Sequence, residues 1–115
     1  TMASHATLHI QFPADPQLRS AVTTLFKTLE REFSETNLRQ HAQELGATLA
    51  SGVETLLQQY PLDYFRVEDY VKQNGELRVT FKVPHTPNAF LPAWAELLRQ
   101  CGVDARGGGM DIDPD

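Results

Sequence analysis

The sequence has a single cysteine, Cys101, so the chain cannot close an internal disulfide. Small secreted scaffolds depend on several disulfides, and this lack therefore indicates a protein of a reducing compartment, which we expect to be the cytoplasm. The chain also lacks any apolar run near the roughly 18–20 residues that cross a bilayer. Its beginning does not show the charged and then apolar pattern of a signal peptide. We expect no membrane association.

Basic residues are few, since 10 Lys and Arg stand against 15 Asp and Glu, for a formal net charge of −5. Nucleic-acid binding depends on the neutralisation of phosphates by Lys and Arg, so nucleic acid is not an expected partner. Several of the acids lie in the final segment GGGMDIDPD, whose composition cannot bury enough apolar surface to become ordered. We predict a disordered or vector-derived start over 1–6, one domain over 7–105 and a flexible acidic tail over 106–115.

Motifs of catalysis and metal binding are lacking too. His41 and Glu44 form only a His-x-x-Glu pair, short of the two ligands of His-Glu-x-x-His. Cys101 lies on an apolar helical stripe, which favours a structural cysteine over a nucleophile. We therefore predict no metal and no cofactor, and the sequence favours a protein that is not an enzyme without deciding the question.

Two patterns open the folded part of the chain. Residues 7–12 alternate polar and apolar side chains before Pro13, which predicts a half-buried strand. Asp15 then offers an N-cap and Pro16 stands at the first helical position. Apolar residues at helical spacing predict a first helix that runs to about Phe33.

The following segment divides by the phase of its apolar residues. Those between 38 and 60 centre on the opposite side of the helical wheel from those of the first helix. One straight helix would bury opposite faces at its two ends, so we predict a break at Ser34–Asn37. The second helix is predicted to end at Tyr60, because a residue that precedes proline disfavours the α region.

Small residues follow one side of this second helix. Ala42, Gly46 and Ala50 are spaced by four and predict a narrow groove. Glycine inside a helix costs about 1 kcal/mol relative to alanine, so Gly46 and Gly52 indicate close approach of another element. The first helix or the sheet would fill the groove in a monomer, and a second copy of the chain would fill it in a homodimer. We favour a homodimer.

The dipeptide Asn74-Gly75 separates two strand-like runs and predicts a β-hairpin over residues 63–83. A two-residue turn would oppose Lys72 with Leu77, which mixes charged and apolar side chains. A three-residue loop that begins at Gln73 sorts the two faces, so we predict that register. It pairs Phe65 with Val83, Val67 with Phe81, and Val71 with Leu77.

This register assigns the side chains of the hairpin to two faces. It places Asp69 on the apolar face, opposite Val79. Aromatic and basic side chains with one acid share the outer face, a composition that is typical of interaction surfaces. The outer residues that we predict to bind a partner are Tyr64, Arg66, Glu68, Tyr70, Arg78 and Lys82.

A third helix is predicted from about Phe90 to Cys101, with Gly102 as its stop. Residues 103–105 could add a short last strand. The order β-α-α-β-β-α, with an optional final β, predicts an α+β fold of two layers. In it a three- or four-stranded, mainly antiparallel sheet carries the helices on one face.

No motif in the chain identifies a function, and two classes remain open. The first is a non-catalytic protein–protein interaction module, such as a small regulator, adaptor or inhibitor of a larger protein, that also self-associates. The second is a small-ligand-binding domain or small enzyme with a pocket between sheet and helices. Tyr60, Asp69 and Trp94 would line that pocket.

Overall fold

The structure is a computed structural model that describes residues 2–31, 33–83 and 89–114. Within those ranges it describes the side chains of residues 5 to 107. The helices are α1 Pro16–Arg31, α2 Glu35–Glu44, α3 Ala47–Gln59 and α4 Phe90–Gln100, together with a 3-10 helix at Leu62–Phe65. The strands are β1 Met2–Gln11, β2 Val67–Gln73, β3 Glu76–Val83 and β4 Ala105–Pro114. The predicted α+β fold is confirmed, with β4 as its fourth strand.

The four strands form one sheet in the order β2-β3-β1-β4. Each neighbouring pair is antiparallel, so β1 lies parallel to β2 across β3, and β3 lies parallel to β4 across β1. The connection from β1 to β2 contains α1, α2 and α3, and the connection from β3 to β4 contains α4. This connectivity is the split β-α-β arrangement used twice, as in ferredoxin-like folds.

One face of the sheet packs against the helices and forms the core. Alternate residues of β3 are fully buried, and the same alternation holds in β1 from residue 5 onward. Trp94 of α4 lies at the centre, with its ring 5.4 Å from that of Phe26 and 6.4 Å from that of Phe81. The opposite face of the sheet carries polar side chains, as expected for an antiparallel sheet that faces water on one side.

The predicted break after the first helix is confirmed. Ser34 is the N-cap of α2, and its hydroxyl accepts a hydrogen bond of 3.3 Å from the backbone N–H of Asn37. Capping by a serine hydroxyl satisfies one of the otherwise unpaired N–H groups of the first turn. The phase reversal of the apolar residues therefore marks a real end of α1.

A second break, at Gly46, was not predicted. Gly46 has φ 117° and ψ 170°, a conformation that is essentially restricted to glycine. It ends the run of α2 and begins α3, so Ala42 and Ala50 lie on different helices. The prediction of a groove along one helix is wrong for this reason. A Cβ atom at Gly46 would meet nothing within 4 Å, so no close approach occurs there.

The hairpin has a two-residue turn, and the predicted three-residue loop is wrong. Asn74 and Gly75 have φ of 54° and 75°, the positive values of a type I′ turn. Lys72 pairs with Leu77 and Tyr70 with Val79, whereas Val67 still pairs with Phe81. A β-bulge at Glu68 supplies the extra residue that reconciles the two registers.

The ends of the described chain lie in strands, where the sequence predicts a disordered or vector-derived start and a flexible tail. Met2 pairs with Pro114, and the ladder continues to Ile10 opposite Ala105. Backbone hydrogen bonds to the edge of β1 order this segment without needing apolar side chains in it. A vector origin of the first residues stays a prediction, as do the domain boundaries.

Candidate functional site

One polar surface is the face of the sheet that points away from the helices, which we call the outer face. Its centre is a double row of directly paired residues from β1 and β3. β2 adds residues on one side of this double row, and β4 adds Arg106 opposite His9 on the other. The described outer-face residues are His5, Thr7, His9, Gln11, Glu68, Asp69, Val71, Gln73, Glu76, Arg78, Thr80, Lys82 and Arg106.

A network around Glu76 holds one end of the outer face. The Glu76 carboxylate accepts hydrogen bonds from His9 Nδ1 at 2.8 Å, Gln11 Nε2 at 3.1 Å and Arg78 Nε at 3.1 Å. The hydrogen bond from His9, followed by that from Arg78, lowers the pKa of the Glu76 carboxyl below its ordinary value. Glu76 therefore stays ionised at neutral pH and fixes the side chains beside it.

The other end of the outer face is more exposed. His5 forms an ion pair with Glu68, the bulge residue of β2. Lys82 pairs with His5 across the strands, and its ammonium group makes no ion pair within the part of the chain that the structure describes. Val71, which is 41% exposed, lies at the Glu76 end instead, because it pairs with Arg78.

The predicted interaction residues separate into two groups. Glu68, Arg78 and Lys82 lie on the outer face. Tyr70 instead lies on the helix side, half-buried against the core, because the bulge at Glu68 and the two-residue turn reverse its orientation. Tyr64 lies in the 3-10 helix, with its ring 5.5 Å from that of Phe90.

Arg66 also leaves the predicted interaction surface, since it lies between the 3-10 helix and β2. Its carbonyl accepts a hydrogen bond of 3.2 Å from the backbone N–H of Lys82. Its side chain lines an open cleft of about 400 Å³ at the end of α1. This cleft mixes acidic and basic side chains, namely Glu30, Arg31, Asp63 and Arg66.

The predicted pocket residues do not meet. Trp94 is completely buried in the core, and the Tyr60 ring packs edge-on against Phe90 at 5.1 Å. Asp69 is exposed on the outer face, opposite Thr80, and the prediction that it lies on the apolar face is wrong. The cause is again the bulge at Glu68, which shifts every residue between it and the turn to the opposite face.

A second cleft, of about 420 Å³, lies between α1 and β2, and we call it the α1–β2 cleft. Its lining residues are Pro16, Arg19, Ser20, Thr23, Thr24, Lys27 and Lys72. The sequence pattern did not predict this cleft, because the three-residue loop places Lys72 on the wrong face. The polar stripe of α1, with Ser20, Thr23, Thr24 and Lys27 at helical spacing, is the signal that could have shown it.

Metal-ligating and nucleophilic side chains are scattered. The described residues contain no group of three His, Cys, Asp or Glu side chains that could hold a metal ion. Cys101 is half-buried at the end of α4, and burial raises the pKa of its thiol, which disfavours the nucleophilic thiolate.

In the ranges 2–31, 33–83 and 89–114, no helix is both long and apolar enough to cross a membrane.

Comparison of this chain with protein-family models, with curated proteins and with solved structures finds no match in any of the three. The outer face and the α1–β2 cleft are therefore the surfaces from which a function can be argued, on their chemistry alone.

Proposed function

We propose that this protein is a non-catalytic protein–protein interaction module of the cytoplasm, a small regulator, adaptor or inhibitor, and that the outer face is its binding surface. The observation that carries the proposal is the position of the helices, which cover one face of the sheet and leave the outer face open. The single cysteine supports the cytoplasmic location.

The composition of the outer face favours a protein partner over nucleic acid. Single-stranded nucleic acid binds to sheets through aromatic side chains on which bases stack. The described outer-face residues include no Phe, Tyr or Trp, and Tyr64 and Tyr70 lie elsewhere. Arg78 and Arg106, with acids nearby, instead suit the charged and hydrogen-bonded contacts of a protein interface.

A second copy of the chain is one partner that this surface would accept. In a two-fold symmetric dimer the same surface of both copies forms the interface, and a residue of one copy contacts a different residue of the other. A charged surface that pairs with itself in this way needs both signs of charge. The outer face offers Arg78 and Lys82 on β3 and Glu68 and Asp69 on β2. Self-association through this face replaces the helical groove as our proposed dimer contact.

The test is a double charge reversal, Arg78→Glu with Lys82→Glu, compared with Arg31→Glu on the helix layer as the matched control. Sedimentation equilibrium over a wide concentration range measures self-association, and affinity capture with each variant as bait measures binding of other proteins. We expect the double variant to lose self-association or specific partners that the control keeps. A monomer whose captured proteins are the same for all variants would contradict the proposal.

A further inference from the structure

The α1–β2 cleft brings three basic side chains together in an acidic protein. Arg19 and Lys27 come from α1, and Lys72 comes from β2. Lys72 reaches the helix side only because the two-residue turn pairs it with the buried Leu77. Among the residues whose side chains the structure describes, no acidic one lines the cleft, although the chain as a whole carries a net charge of −5.

The cations of the cleft lack partners of opposite charge among the side chains that the structure describes. Neither Lys27 nor Lys72 makes an ion pair within the described residues. Arg19 donates hydrogen bonds from Nε and Nη2 to the carbonyl of Pro13 at 3.2 and 3.1 Å, and lies 5.7 Å from the centre of the Phe12 ring. A neutral carbonyl and an aromatic ring hold this guanidinium in place and leave its charge uncompensated.

Hydroxyl groups stand between the cations. Ser20, Thr23 and Thr24 line the cleft together with Lys27, one helical turn further on. The Thr23 hydroxyl donates its hydrogen to the carbonyl of Arg19 at 2.9 Å, so Ser20 and Thr24 are the hydroxyls of the cleft that remain to donate to an anion. Lysines and hydroxyls are the side chains that hold oxyanions through charge-assisted hydrogen bonds.

The size of the cleft limits the class of ligand. A volume of about 420 Å³ is within the roughly 300–1,000 Å³ of small-molecule sites. This space is larger than one phosphate ion needs, so an organic part can accompany the anionic group. We propose that the α1–β2 cleft binds a small phosphorylated molecule, with Lys27, Lys72 and Arg19 facing the phosphoryl group. The site is independent of the outer face, on the opposite side of the sheet.

Titration calorimetry and amide NMR shifts test the site, with inorganic phosphate, glucose 6-phosphate and glucose as probes at constant ionic strength set by chloride. We expect glucose 6-phosphate to bind with a dissociation constant below about 1 mM, inorganic phosphate more weakly, and glucose not at all. The shifts should concentrate at Thr23, Thr24 and Lys72.

Charge removal locates the site. Lys27→Gln and Lys72→Gln should each weaken binding of glucose 6-phosphate about tenfold, because each removes a charge that faces the phosphoryl group. Lys82→Gln is the matched control on the opposite side of the sheet and should change binding less than about twofold. If Lys27→Gln fails to fold, Lys72→Gln decides alone, since Lys72 is exposed on an edge strand.

Three results would overturn the proposal. The first is the absence of saturable binding of both phosphate probes up to about 10 mM. The second is equal loss of binding in the Lys82→Gln control. The third is a phosphate-induced rise in melting temperature that is the same in every variant, which would show only the general stabilisation that phosphate salts give.

Discussion

At the scale of single residues, two glycines set how closely the helices approach their neighbours. A Cβ atom on Gly52 of α3 would lie 2.1 Å from Leu97 Cδ1, so α3 and α4 touch there. A Cβ atom on Gly107 of β4 would lie 2.7 Å from the carbonyl carbon of Leu91. The predicted close approach at Gly52 is confirmed. The close approach of Gly107 to α4 could not be predicted, because the contact between β4 and α4 follows from the topology of the sheet and not from the local sequence pattern.

These two glycines should respond differently to alanine. Gly107→Ala meets backbone atoms that cannot rotate away, and we expect it to lower the free energy of unfolding by about 1–3 kcal/mol. Gly52→Ala meets the end of a flexible leucine and gains helix propensity of about 1 kcal/mol, so its net change should stay within about 1 kcal/mol of zero. Urea denaturation of both variants checks the difference. Equal losses would contradict the packing of β4 under α4.

At the scale of elements, the hairpin shows what sequence pattern can and cannot decide. The dipeptide Asn74-Gly75 predicted the position of the turn, and the hydrophobic pattern predicted Val67 opposite Phe81 at the far end of the hairpin. Both predictions are confirmed. Between them, sorting by polarity selected the wrong loop, because it assumed a regular ladder. A bulge adds one residue to one strand without any signal in the hydrophobic pattern. The error moved Tyr70, Asp69 and Lys72 to the wrong faces, and two of these, Tyr70 and Asp69, are predicted site residues.

Deletion of Glu68 tests this account of the hairpin. Without the extra residue, Val67 would directly precede Asp69 in a regular ladder and still pair with Phe81, so the fold should persist. The control Glu68→Ala removes the carboxylate that pairs with His5 but keeps the bulge. We expect the two variants to melt within about 4 °C of each other, a difference of about 1 kcal/mol. Unfolding of the deletion variant alone would show that the bulge is required.

At the scale of the whole molecule, the order of elements was predictable and the pairing of strands was not. Strict alternation in residues 7–12 and the proline at position 16 identify β1 and α1 from local chemistry. The segment 107–114 alternates only over four residues, Met110 to Asp113, and its glycines and aspartates are typical of disorder. It is placed as β4 because the backbone of β1 offers an edge to which it can bond.

Truncation after Arg106 distinguishes a strand that is paired with β1 from a flexible tail. In the structure the cut removes the pairs from Leu8–Gly107 to Met2–Pro114, so we expect the free energy of unfolding to fall by at least about 2 kcal/mol. The exposed edge of β1 should also make the truncated chain aggregate as its concentration rises. A shorter cut after Asp111 keeps the pairs of His5, Ala6, Thr7 and Leu8 and should cost clearly less.

The same two truncations also test the flexible tail that the composition predicts. A flexible tail contributes nothing to stability, so both truncated chains would then melt at the temperature of the full chain. A graded loss, larger for the cut after Arg106, follows only if the ladder with β1 forms. Loss of protection from hydrogen exchange at the amides of His5 and Thr7 in the longer truncation would place the effect at this edge, because alternate residues of β1 direct their N–H groups toward β4, as Gln11 does to the carbonyl of Asp104.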